Sequence, residues 1–562
     1  MKVVIIGGVA GGASAAARLR RLDEEAEIIV FERSGYVSYA NCGLPYYIGG
    51  VITDRKQLTL QTPQSFWSRF HVQIRVRHDV TAIDPKGKYV TVKNLETGEE
   101  WNESYDKLVL SPGAKPVMPP LPGIDSERIF TLRTVEDTLR LYDFIEKEAP
   151  KSAVIVGGGY IGIEVAENLY EKGINVTIVD IMTQLMNTMD YDMAAIVHSE
   201  LRRKGIGLRL GKGVSGFREE DGKIIALLDG EEIPADMVLM AVGVAPENTL
   251  AKQAGLELGI KGSIAVNDRM ETSEPDIYAV GDAVQVKNFV TGDDALIALA
   301  GPANKQGRIA ADNICGGDSR YNGSMGSSVI KIFGLTAAGT GLTEKAAAAA
   351  GIDYESVVLI PTSHAGYYPG AKALTMKVVF EKKTLRLLGA QIIGEEGVDK
   401  RLDVLAAAIY AGIKGDKLKE LDLSYAPPYS SAKDPVNMAG FMIENIATGK
   451  VKQIHWYDVA DLPRDGSVNL VDVRTVKEYE NGHIEGFVNI PLDDLRERIG
   501  ELDSSKTTYV NCQSALRSYI ACRILIQNGF DCYNLSGGYR FYAGVIQEKR
   551  MSEEIWPCGM DK

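Results

Sequence analysis

The sequence predicts an α/β protein of several domains, and three observations support this fold class. A strand, a glycine-rich turn, a helix and a second strand occur in that order twice, first from Lys2 and again from Ala153. A separate compact α/β pattern follows residue 455 near the C-terminus. The 562 residues are enough for roughly three or four domains. We therefore expect two nested nucleotide-binding domains followed by further domains with their own cores.

Composition narrows the classes of partner. Hydrophobic residues make up 45% and charged residues 24%, and no stretch approaches the length of a membrane span. The N-terminus enters a strand pattern directly, without the pattern of a secretory leader. The net charge of −13 disfavours nucleic acid and anionic lipid. We expect a cytoplasmic protein with no nucleic-acid or membrane partner.

The first unit has the strand from Lys2 to Ile6, a helix from Ala13 to Leu22 and a second strand from Ile28 to Phe31. Its turn has Val9 where a dinucleotide motif has its second glycine. Two later segments, 108–116 and 274–283, each have a strand that runs into a turn. They support a site for the same dinucleotide as the first glycine-rich turn. The residues expected to hold this first cofactor are Gly7, Gly12, Glu32, Arg33, Pro112, Gly113 and Asp282.

The second unit carries the complete glycine motif. Gly157, Gly159 and Gly162 stand between a strand and a helix, where backbone N–H groups can approach a pyrophosphate. Asp180 ends the next strand; its carboxylate suits ribose hydroxyls and repels the extra phosphate of NADP. NADH is therefore favoured and NADPH remains possible, with Gly243 also assigned to this cofactor region. The alternative for Asp180 is a solvated strand end.

Further elements follow the second unit. The pattern after Gly281 predicts a helical stretch to Cys315 and then a boundary. Strands and alanine-rich helices from Gly326 to about Gly449 form a third unit. A polar stretch near 447–453 indicates a linker, and the last residues, from Met551, indicate a loose tail.

Cys42 is the strongest candidate for redox chemistry. The six cysteines are too sparse for a disulfide framework and form no C-x-x-C pair, so we expect no metal site. Cys42 follows the first nucleotide unit, and residues 44–49 contain no second cysteine. Its thiol must therefore pair with an external sulfur or be oxidised to sulfenic acid. Beside a cofactor that stabilised it, its thiolate would be nucleophilic; the alternative is a buried packing residue.

The order of these segments resembles the flavoprotein disulfide reductase superfamily, which implies FAD in the first site and a nicotinamide in the second. Residues 1–445 most resemble the coenzyme A disulfide reductases, through GGVAGGAS, SYANC, LAGPANKQGR, HAGYYPGA and SYAPPYSSAKD. The resemblance implies a mixed disulfide between Cys42 and coenzyme A, with Tyr367 and Tyr425 reaching the site from the other subunit of a homodimer. Interfacial aromatic packing is the alternative for both tyrosines.

The same resemblance points to a coenzyme A site. Arg18 and Arg21 share a helix face and could bind phosphates, although a solvated charged face is an equal alternative. The residues expected to contact coenzyme A are Arg18, Arg21, Ser38, Asn41, Asn304 and Arg308.

The C-terminal pattern resembles the rhodanese family. LVDVRTVKEYENGHIEGF and LSGGYRFYAG are similar to its motifs, and YVNCQSALRS places Cys512 between a strand and a helix with Arg517 five residues on. The resemblance implies sulfurtransferase chemistry at Cys512, with Arg517 as cationic support. An inactive docking module is the alternative.

Together these features predict the fold as α/β, with two nested Rossmann-like FAD and NAD(P) domains, an α+β dimerisation domain and an α/β rhodanese domain. The expected boundaries are FAD-binding 1–112 and 245–322, NAD(P)H-binding 113–244, dimerisation 323–446, linker 447–454, rhodanese-like 455–550 and tail 551–562.

The predicted function is NAD(P)H-dependent reduction of coenzyme A disulfide, coenzyme A persulfide or polysulfide, coupled to sulfur transfer, with small thiols and persulfides as partners. One alternative is an NADH oxidase or peroxidase that cycles a sulfenic acid. Ala10 weakens it, because peroxidases of the superfamily carry histidine in that turn. The other alternative is a sulfane-sulfur carrier or sensor with secondary flavin chemistry.

Overall fold

The computed structural model describes residues 1–554, and the chain divides into two compact units. The first comprises Met1–Leu185 and Gly205–Gly326, and the second comprises Met186–Lys204 with the chain from Ser327. Cys558 and most of the expected tail lie outside the described residues. Within residues 1–554 no helix combines the length and the apolar character needed to cross a membrane.

The strands, numbered in chain order, are β1 (Lys2–Ile6), β2 (Glu27–Glu32), β3 (Gln73–Val76), β4 (His78–Asp84), β5 (Tyr89–Asn94), β6 (Glu100–Ser104), β7 (Lys107–Leu110), β8 (Ala114–Pro116), β9 (Ile129–Phe130), β10 (Ser152–Val156), β11 (Asn175–Asp180), β12 (Gly207–Leu210), β13 (Val214–Glu220), β14 (Lys223–Leu228), β15 (Glu231–Ala235), β16 (Met237–Met240), β17 (Val244–Pro246), β18 (Ile277–Ala279), β19 (Val286–Lys287), β20 (Asp294–Ala295), β21 (Ser328–Ile332), β22 (Leu335–Gly341), β23 (Tyr354–Leu359), β24 (Leu374–Glu381), β25 (Leu387–Gly394), β26 (Lys452–Ile454), β27 (Asn469–Asp472), β28 (Val488–Asn489), β29 (Thr508–Asn511) and β30 (Cys532–Leu535).

The helices are α1 (Ala10–Leu22), α2 (Leu44–Ile48), α3 (Pro63–Phe70), α4 (Val135–Glu148), α5 (Tyr160–Glu171), α6 (Tyr191–Arg203), α7 (Thr249–Gln253), α8 (Ala300–Ile314), α9 (Glu344–Ala349), α10 (Val398–Tyr410), α11 (Pro435–Ala447), α12 (Val476–Glu480), α13 (Leu495–Arg498), α14 (Leu516–Gln527) and α15 (Gly538–Glu554).

Two parallel sheets organise the first unit. One has the order β18-β7-β1-β2-β3 and the other β12-β11-β10-β16-β9. The inner strands β1 and β10 are almost wholly apolar and buried, as expected for parallel strands covered on both faces. Each inner strand leads directly into one of the predicted glycine turns, so the predicted pair of Rossmann-like units is confirmed.

Two element boundaries in this unit differ from the sequence-based prediction. Helix α1 starts at Ala10 rather than Ala13, because Gly11 and Gly12 are buried in its first turn instead of preceding it. The stretch after Gly281 is helical only over α8; the short antiparallel pair β19–β20 precedes it. β-Branched residues such as Val284 and Val286 favour extended backbone there.

The second unit contains an antiparallel sheet, β21-β22-β25-β24-β23, and a parallel sheet, β26-β30-β29-β27-β28. β26 falls inside the stretch expected to be a linker, and it pairs in parallel with β30. The C-terminal sheet therefore begins at Lys452, and only a few residues separate it from α11. The helix α15 likewise continues into the expected tail as far as Glu554.

A buried ionic cluster lies inside the second unit. The ammonium of Lys377 lies 2.7 Å from a carboxylate oxygen of Asp192 and 2.6 Å from Glu344 Oε2, with Asp190 Oδ2 at 3.4 Å. Burial would lower the pKa of Lys377, but the three carboxylates raise it above its ordinary value. Trp456 Nε1 of the C-terminal domain donates to Asp192 Oδ2 at 3.0 Å. The C-terminal domain is thus held by the same buried cluster as the antiparallel sheet.

Candidate functional site

The two glycine turns of the first unit have the same local geometry. Gly7 and Gly157 have φ of +94° and +109°, where a side chain would be strained. A Cβ on Gly12 would lie 1.9 Å from Gly7 O, and one on Gly162 would lie 2.0 Å from Gly157 O. These glycines therefore let helix and strand approach closely. A Cβ on Gly159 would meet nothing within 4 Å, which leaves open space at the start of α5.

The two predicted strand-end carboxylates close these turns. Glu32 accepts from the N–H of Gly8 at 2.9 Å, and Asp180 accepts from the N–H of Gly158 at 2.7 Å. Ionised carboxylates have further lone pairs, so both can still accept hydrogen bonds from ribose hydroxyls. Neither α1 nor α5 receives a side-chain cap from the residue that precedes it. The N–H groups of both first turns are thus suited to a pyrophosphate.

Two further segments meet at Arg133. Its guanidinium donates to Asp282 Oδ2 at 2.7 Å and to Ala114 O at 3.1 Å. With its amide oriented to satisfy its neighbours, Asn41 both donates to Arg133 O at 2.9 Å and accepts from Arg133 NH1 at 3.1 Å. Asp282, expected to hold the first cofactor, is therefore linked through Arg133 to the segment that carries Cys42. Gly113, with φ +73°, lies beside the same guanidinium.

Cys42 lies in a single 3-10 turn, Asn41–Gly43, immediately before α2, and its side chain is exposed. Surrounding protein atoms desolvate the thiolate and raise its pKa, and the charges of Glu164 and Asp282 raise it further. Arg133 and a backbone N–H act in the opposite direction but are weaker. The chain's own side chains therefore disfavour the thiolate that the sequence suggested, so stabilisation must come from elsewhere.

Glu164, on α5, is the titratable neighbour of Cys42 on the second nucleotide unit. Desolvation raises the pKa of Glu164 to about 7, and Tyr46, whose hydroxyl lies 3.4 Å from Glu164 Oε1, opposes that shift. Tyr46 itself has a pKa raised to about 12 by burial and by this carboxylate. The carboxyl group thus titrates near neutral pH beside Cys42, the predicted redox cysteine.

Helices α1 and α8 pack against each other and carry four of the residues expected to bind coenzyme A. Ser14 Oγ donates to Asn304 Oδ1 at 2.7 Å, while Asn304 and Arg308 are exposed one turn apart on α8. Arg21 is exposed on α1. Arg18 pairs with Asp312 at 2.6 Å, so its charge is already partly neutralised.

The remaining predicted positions of this unit are dispersed over several loops. Ser38 has φ +47° and lies in the segment before Cys42. Arg33 is largely exposed and lies 3.7 Å from Glu247 Oε2. Pro112 follows β7, and Gly243, with φ +108°, precedes β17.

The two tyrosines predicted from the family motifs come together within the second unit. Tyr367 Oη and Tyr425 Oη are 2.7 Å apart. Tyr367 is 75% exposed and Tyr425 is 45% exposed. That bond raises the pKa of Tyr425. The pair forms a hydroxyl donor on an exposed surface.

In the C-terminal domain, Cys512 follows β29 and lies at the base of a loop that leads into α14. The residue is fully buried, and Ser518 Oγ donates to its Sγ at 3.2 Å. Tyr539 N donates to Cys512 O at 2.7 Å. A Cβ on Gly538 would lie only 2.5 Å from Cys512 O, so a glycine is required where α15 passes the loop.

The Asp-x-Arg segment of this domain, Asp472 to Arg474, contacts the loop that carries Cys512. Arg474 is buried and forms a two-point contact with Asp472 through Nε and NH2, at 3.0 and 2.7 Å. Its guanidinium carbon lies 3.9 Å from the centre of the Tyr539 ring. Asn511 Nδ2 also donates to Asp472 Oδ2 at 3.1 Å.

Arg517 lies at the start of α14, but both of its terminal nitrogens donate to Glu478 of α12, each at 2.7 Å. The sequence assigned this guanidinium to support Cys512. The guanidinium is paired with a carboxylate, and its charge also interacts with Cys512, so the expected support of Cys512 stays a prediction.

Sequence reasoning did not identify four residues of these sites: Arg133, Glu164, Glu478 and Ser518. Glu164 follows the third glycine of a recognised motif and could have been found from that position. The other three depend on contacts formed by tertiary structure, and no local pattern marks them.

Comparison with known proteins gives matches along most of the chain. Residues 1–307 match the pyridine nucleotide-disulphide oxidoreductase model, residues 327–435 its dimerisation domain, and residues 456–543 a rhodanese-like domain. Coenzyme A disulfide reductase of Staphylococcus haemolyticus is 37% identical over 446 residues, which is 79% of this chain and 100% of the relative.

Two solved structures resemble almost the whole chain. Reduced CoADR-RHD of Bacillus anthracis has a TM-score of 0.95 at 48% identity, covering 97% of this chain and 98% of the other. An NAD-dependent persulfide reductase from A. fulgidus has a TM-score of 0.90 at 38% identity, covering 96% and 100%. The family implies FAD and NAD(P)H as cofactors, and the two glycine turns described above fit them.

Proposed function

The chain belongs to the pyridine nucleotide-disulphide oxidoreductase family, and we propose that it reduces coenzyme A persulfide, coenzyme A disulfide or polysulfide through Cys42. The observation that carries this proposal is the exposed Cys42 thiol directly after the first nucleotide unit, with no cysteine in the following residues to form an internal disulfide. The relatives named above, a coenzyme A disulfide reductase and a persulfide reductase, support the same chemistry.

The sulfur step is a thiol–disulfide exchange. The Cys42 thiolate attacks the carbon-bound sulfur of coenzyme A persulfide, the new S–S bond forms a mixed disulfide, and hydrosulfide leaves. With coenzyme A disulfide the same attack releases one coenzyme A thiolate. When bound, FAD and the reduced nicotinamide supply the two electrons that return the mixed disulfide to two thiols.

Tyr367 and Tyr425 are proposed to serve the leaving thiolate. Their hydroxyls already share a hydrogen bond, so one can donate to a developing sulfur anion while the other orients it. We propose that the pair acts at Cys42 of the second subunit in a homodimer, which the matched dimerisation domain supports. The proposed contacts to coenzyme A come from Ser38 and Asn41 near Cys42 and from the exposed faces of α1 and α8, with Arg18, Arg21, Asn304 and Arg308.

Asp180 is proposed to make NADH the better donor. Its carboxylate is fixed by the N–H groups of Gly158 and Met182, at 2.7 and 2.8 Å, where an extra ribose phosphate would face a negative charge. A kcat/KM for NADPH equal to that for NADH would contradict this assignment.

Cys512 is proposed to act as a sulfurtransferase that feeds the reductase. Its thiolate takes the sulfane sulfur of a donor, and the coenzyme A thiolate then takes that sulfur from the Cys512 persulfide, which regenerates Cys512 and forms coenzyme A persulfide. The hydrogen bond from Ser518 to Cys512 Sγ supports a stabilised thiolate at this position.

The variant Cys42→Ser tests the reductase assignment. The purified variant should keep its bound flavin, because Cys42 makes no part of the glycine turns, while NADH-driven reduction of coenzyme A disulfide falls at least about 10³-fold. Cys315→Ser is the matched control, since this thiol lies at the end of α8 and should leave the rate unchanged. Wild-type turnover in Cys42→Ser would remove Cys42 from the reaction.

A further inference from the structure

The loop that carries Cys512 contains few positive charges. Its residues from Gln513 to Leu516 have no charged side chain, but three arginines border it. Arg474 NH1 lies 3.4 Å from Gln513 Oε1, and the N–H of exposed Arg540 donates to Gln513 O at 3.1 Å. The charge of the third, Arg517, interacts with Cys512. Rhodanese chemistry with thiosulfate requires a site that receives a divalent anion, and such sites depend on unpaired cations and donors. The structure couples the charge of Arg517 to Cys512, so the state of this arginine bears on which donors the loop can receive.

Arg474 is not available to an incoming donor. Its guanidinium is 1% exposed and is occupied by Asp472 and by the carbonyl oxygens of Glu478 and Gly482, at 3.2 and 2.8 Å. NH1 also lies 3.4 Å from Gln513 Oε1. These contacts fix the base of the loop and leave the arginine no open face.

Arg517 is closer to the surface but is held by Glu478. The two residues form a two-point pair, with NH1 to Oε2 and NH2 to Oε1 both at 2.7 Å. Glu478 also accepts from the N–H and the hydroxyl of Thr475, each at 2.9 Å, so the carboxylate is fixed from the opposite side. The hydrogen bonds from Arg517, the largest influence, lower the pKa of Glu478 to about 2. The carboxylate thus stays charged, and the pair adds no net positive charge.

The helices joined by this pair expose apolar side chains. Leu516 on α14 is 61% exposed and Val476 on α12 is 55% exposed. A small dianion gains nothing from these side chains, whereas an organic donor can cover them. The surface beside the loop therefore suits a donor in which the sulfane sulfur is attached to carbon.

We propose that Glu478 determines the donor specificity of Cys512: by holding Arg517 it disfavours thiosulfate and leaves the loop to organic persulfides. This inference rests on the proposed sulfurtransferase function of Cys512. The Cys512 thiolate attacks the outer sulfur of R–S–SH. A new S–S bond joins Cys512 Sγ to that sulfur and gives the Cys512 persulfide, while the original S–S bond breaks and RS⁻ leaves. No oxidant or reductant is needed, because one sulfur atom moves between two thiols.

The experiment measures the rate at which Cys512 gains one sulfur atom, by mass analysis of the peptide that contains it. Full-length protein with Cys42→Ser prevents turnover at the other site. Thiosulfate and glutathione persulfide are the two donors. In this background the persulfide should load Cys512 at least about tenfold faster than thiosulfate does at equal concentration, as expected for about 1.4 kcal/mol of discrimination.

The variant Glu478→Gln should raise the thiosulfate rate about tenfold and change the persulfide rate by less than about threefold. The sulfonate charge of thiosulfate lies one bond from the transferred sulfur, whereas the carboxylates of glutathione persulfide lie several bonds away, so a freed arginine acts mainly on thiosulfate. Glu480→Gln is the matched control, an exposed glutamate on the same helix, and should alter neither rate. An unchanged ratio of the two rates in Glu478→Gln would overturn the proposal. Equal rates for both donors in the protein that retains Glu478 would overturn it as well.

A second measurement needs no change at Glu478. If the loop offers no net positive charge, it does not attract the thiosulfate dianion. The thiosulfate rate should then not fall as ionic strength rises, because salt screening has no attraction to weaken. A steep fall with salt would overturn the proposal. Failure of both donors to load Cys512 is a different result, because it would remove the sulfurtransferase function on which the inference rests.

Discussion

At the scale of single residues, Glu164 is the group whose charge bears most directly on Cys42. Its pKa of about 7 means that the carboxyl group is neutral below that pH and charged above it. In its charged form it raises the pKa of the Cys42 thiol. Above that pH the thiolate of Cys42 is therefore harder to form than it would be beside a neutral residue.

We predict that Glu164→Gln lowers the pKa of Cys42. Removal of the negative neighbour makes the thiolate easier to form, so alkylation of reduced Cys42 at pH 8 should become about two- to tenfold faster. The measurement is the rate of iodoacetamide labelling as a function of pH. Glu171→Gln, at the exposed end of the same helix, is the control. A labelling profile in Glu164→Gln identical to that of the control would contradict the electrostatic coupling.

Residue-scale chemistry was only partly predictable. The glycines and strand-end carboxylates were found because each belongs to a local motif, and the structure places them in matching turns. Arg133 was missed because it joins Asp282 and Asn41, which are 149 and 92 positions away in sequence. The expected role of Arg517 was incomplete for the same reason, since Glu478 lies 39 residues earlier.

At the scale of elements, α15 determines the shape of the Cys512 loop. Gly538, its first residue, has φ +67°, and a Cβ there would lie 2.5 Å from Cys512 O and 2.7 Å from Ala515 N. Both neighbours are backbone atoms that cannot rotate away. The loop conformation and the start of the helix therefore depend on each other.

We predict that Gly538→Ala destabilises the C-terminal domain by about 1–3 kcal/mol and slows sulfur loading of Cys512 at least about tenfold, because the loop must move. Thermal unfolding and peptide mass analysis measure the two effects. Gly544→Ala is the control: it lies in the same helix, its Cβ would meet nothing within 4 Å, and it should be neutral or stabilising. Equal effects of both variants would show that contact with the loop is not the cause.

The boundaries predicted from the sequence were wrong where a segment was too short to show a hydrophobic periodicity. β26 has only three residues, Lys452–Ile454, and polar neighbours led to its assignment as a linker. Pairing with β30 and hydrogen bonds to Glu355 and to Ser356 O, at 3.1 and 2.6 Å from Gln453 Nε2, define it instead. These contacts are tertiary, so the sequence alone could not reveal them.

At the scale of the whole molecule, the proposed homodimer accounts for the exposure of the tyrosine pair. An exposed hydrogen-bonded pair of phenols has no evident role within one subunit, whereas a shared active site gives it one. The C-terminal domain is held within the second unit by β26, by Trp456 and by the pair of His455 with Glu355 at 2.9 Å. Part of the stretch that the sequence assigned to a linker is therefore the strand β26.

We predict that Tyr367→Phe together with Tyr425→Phe slows reduction of coenzyme A disulfide by roughly 10²-fold, while reduction of the enzyme by NADH in single turnover is unchanged. The step that becomes slower is release of the thiolate, because the leaving thiolate needs a proton or a hydrogen bond. Tyr429→Phe, 74% exposed in the same unit, is the control. Full activity in a protein that remains monomeric at assay concentration would contradict a shared site.

The transfer of sulfur from Cys512 through coenzyme A to Cys42 is the central claim about the whole chain. NADH consumption by Cys512→Ser, measured with two substrates, tests it most directly. With preformed coenzyme A disulfide the variant should match the wild type, because that substrate reaches Cys42 without the C-terminal domain. With an organic persulfide and catalytic coenzyme A, the rate should fall at least about tenfold. Equal NADH consumption by variant and wild type with both substrates would show that Cys512 does not supply the reductase.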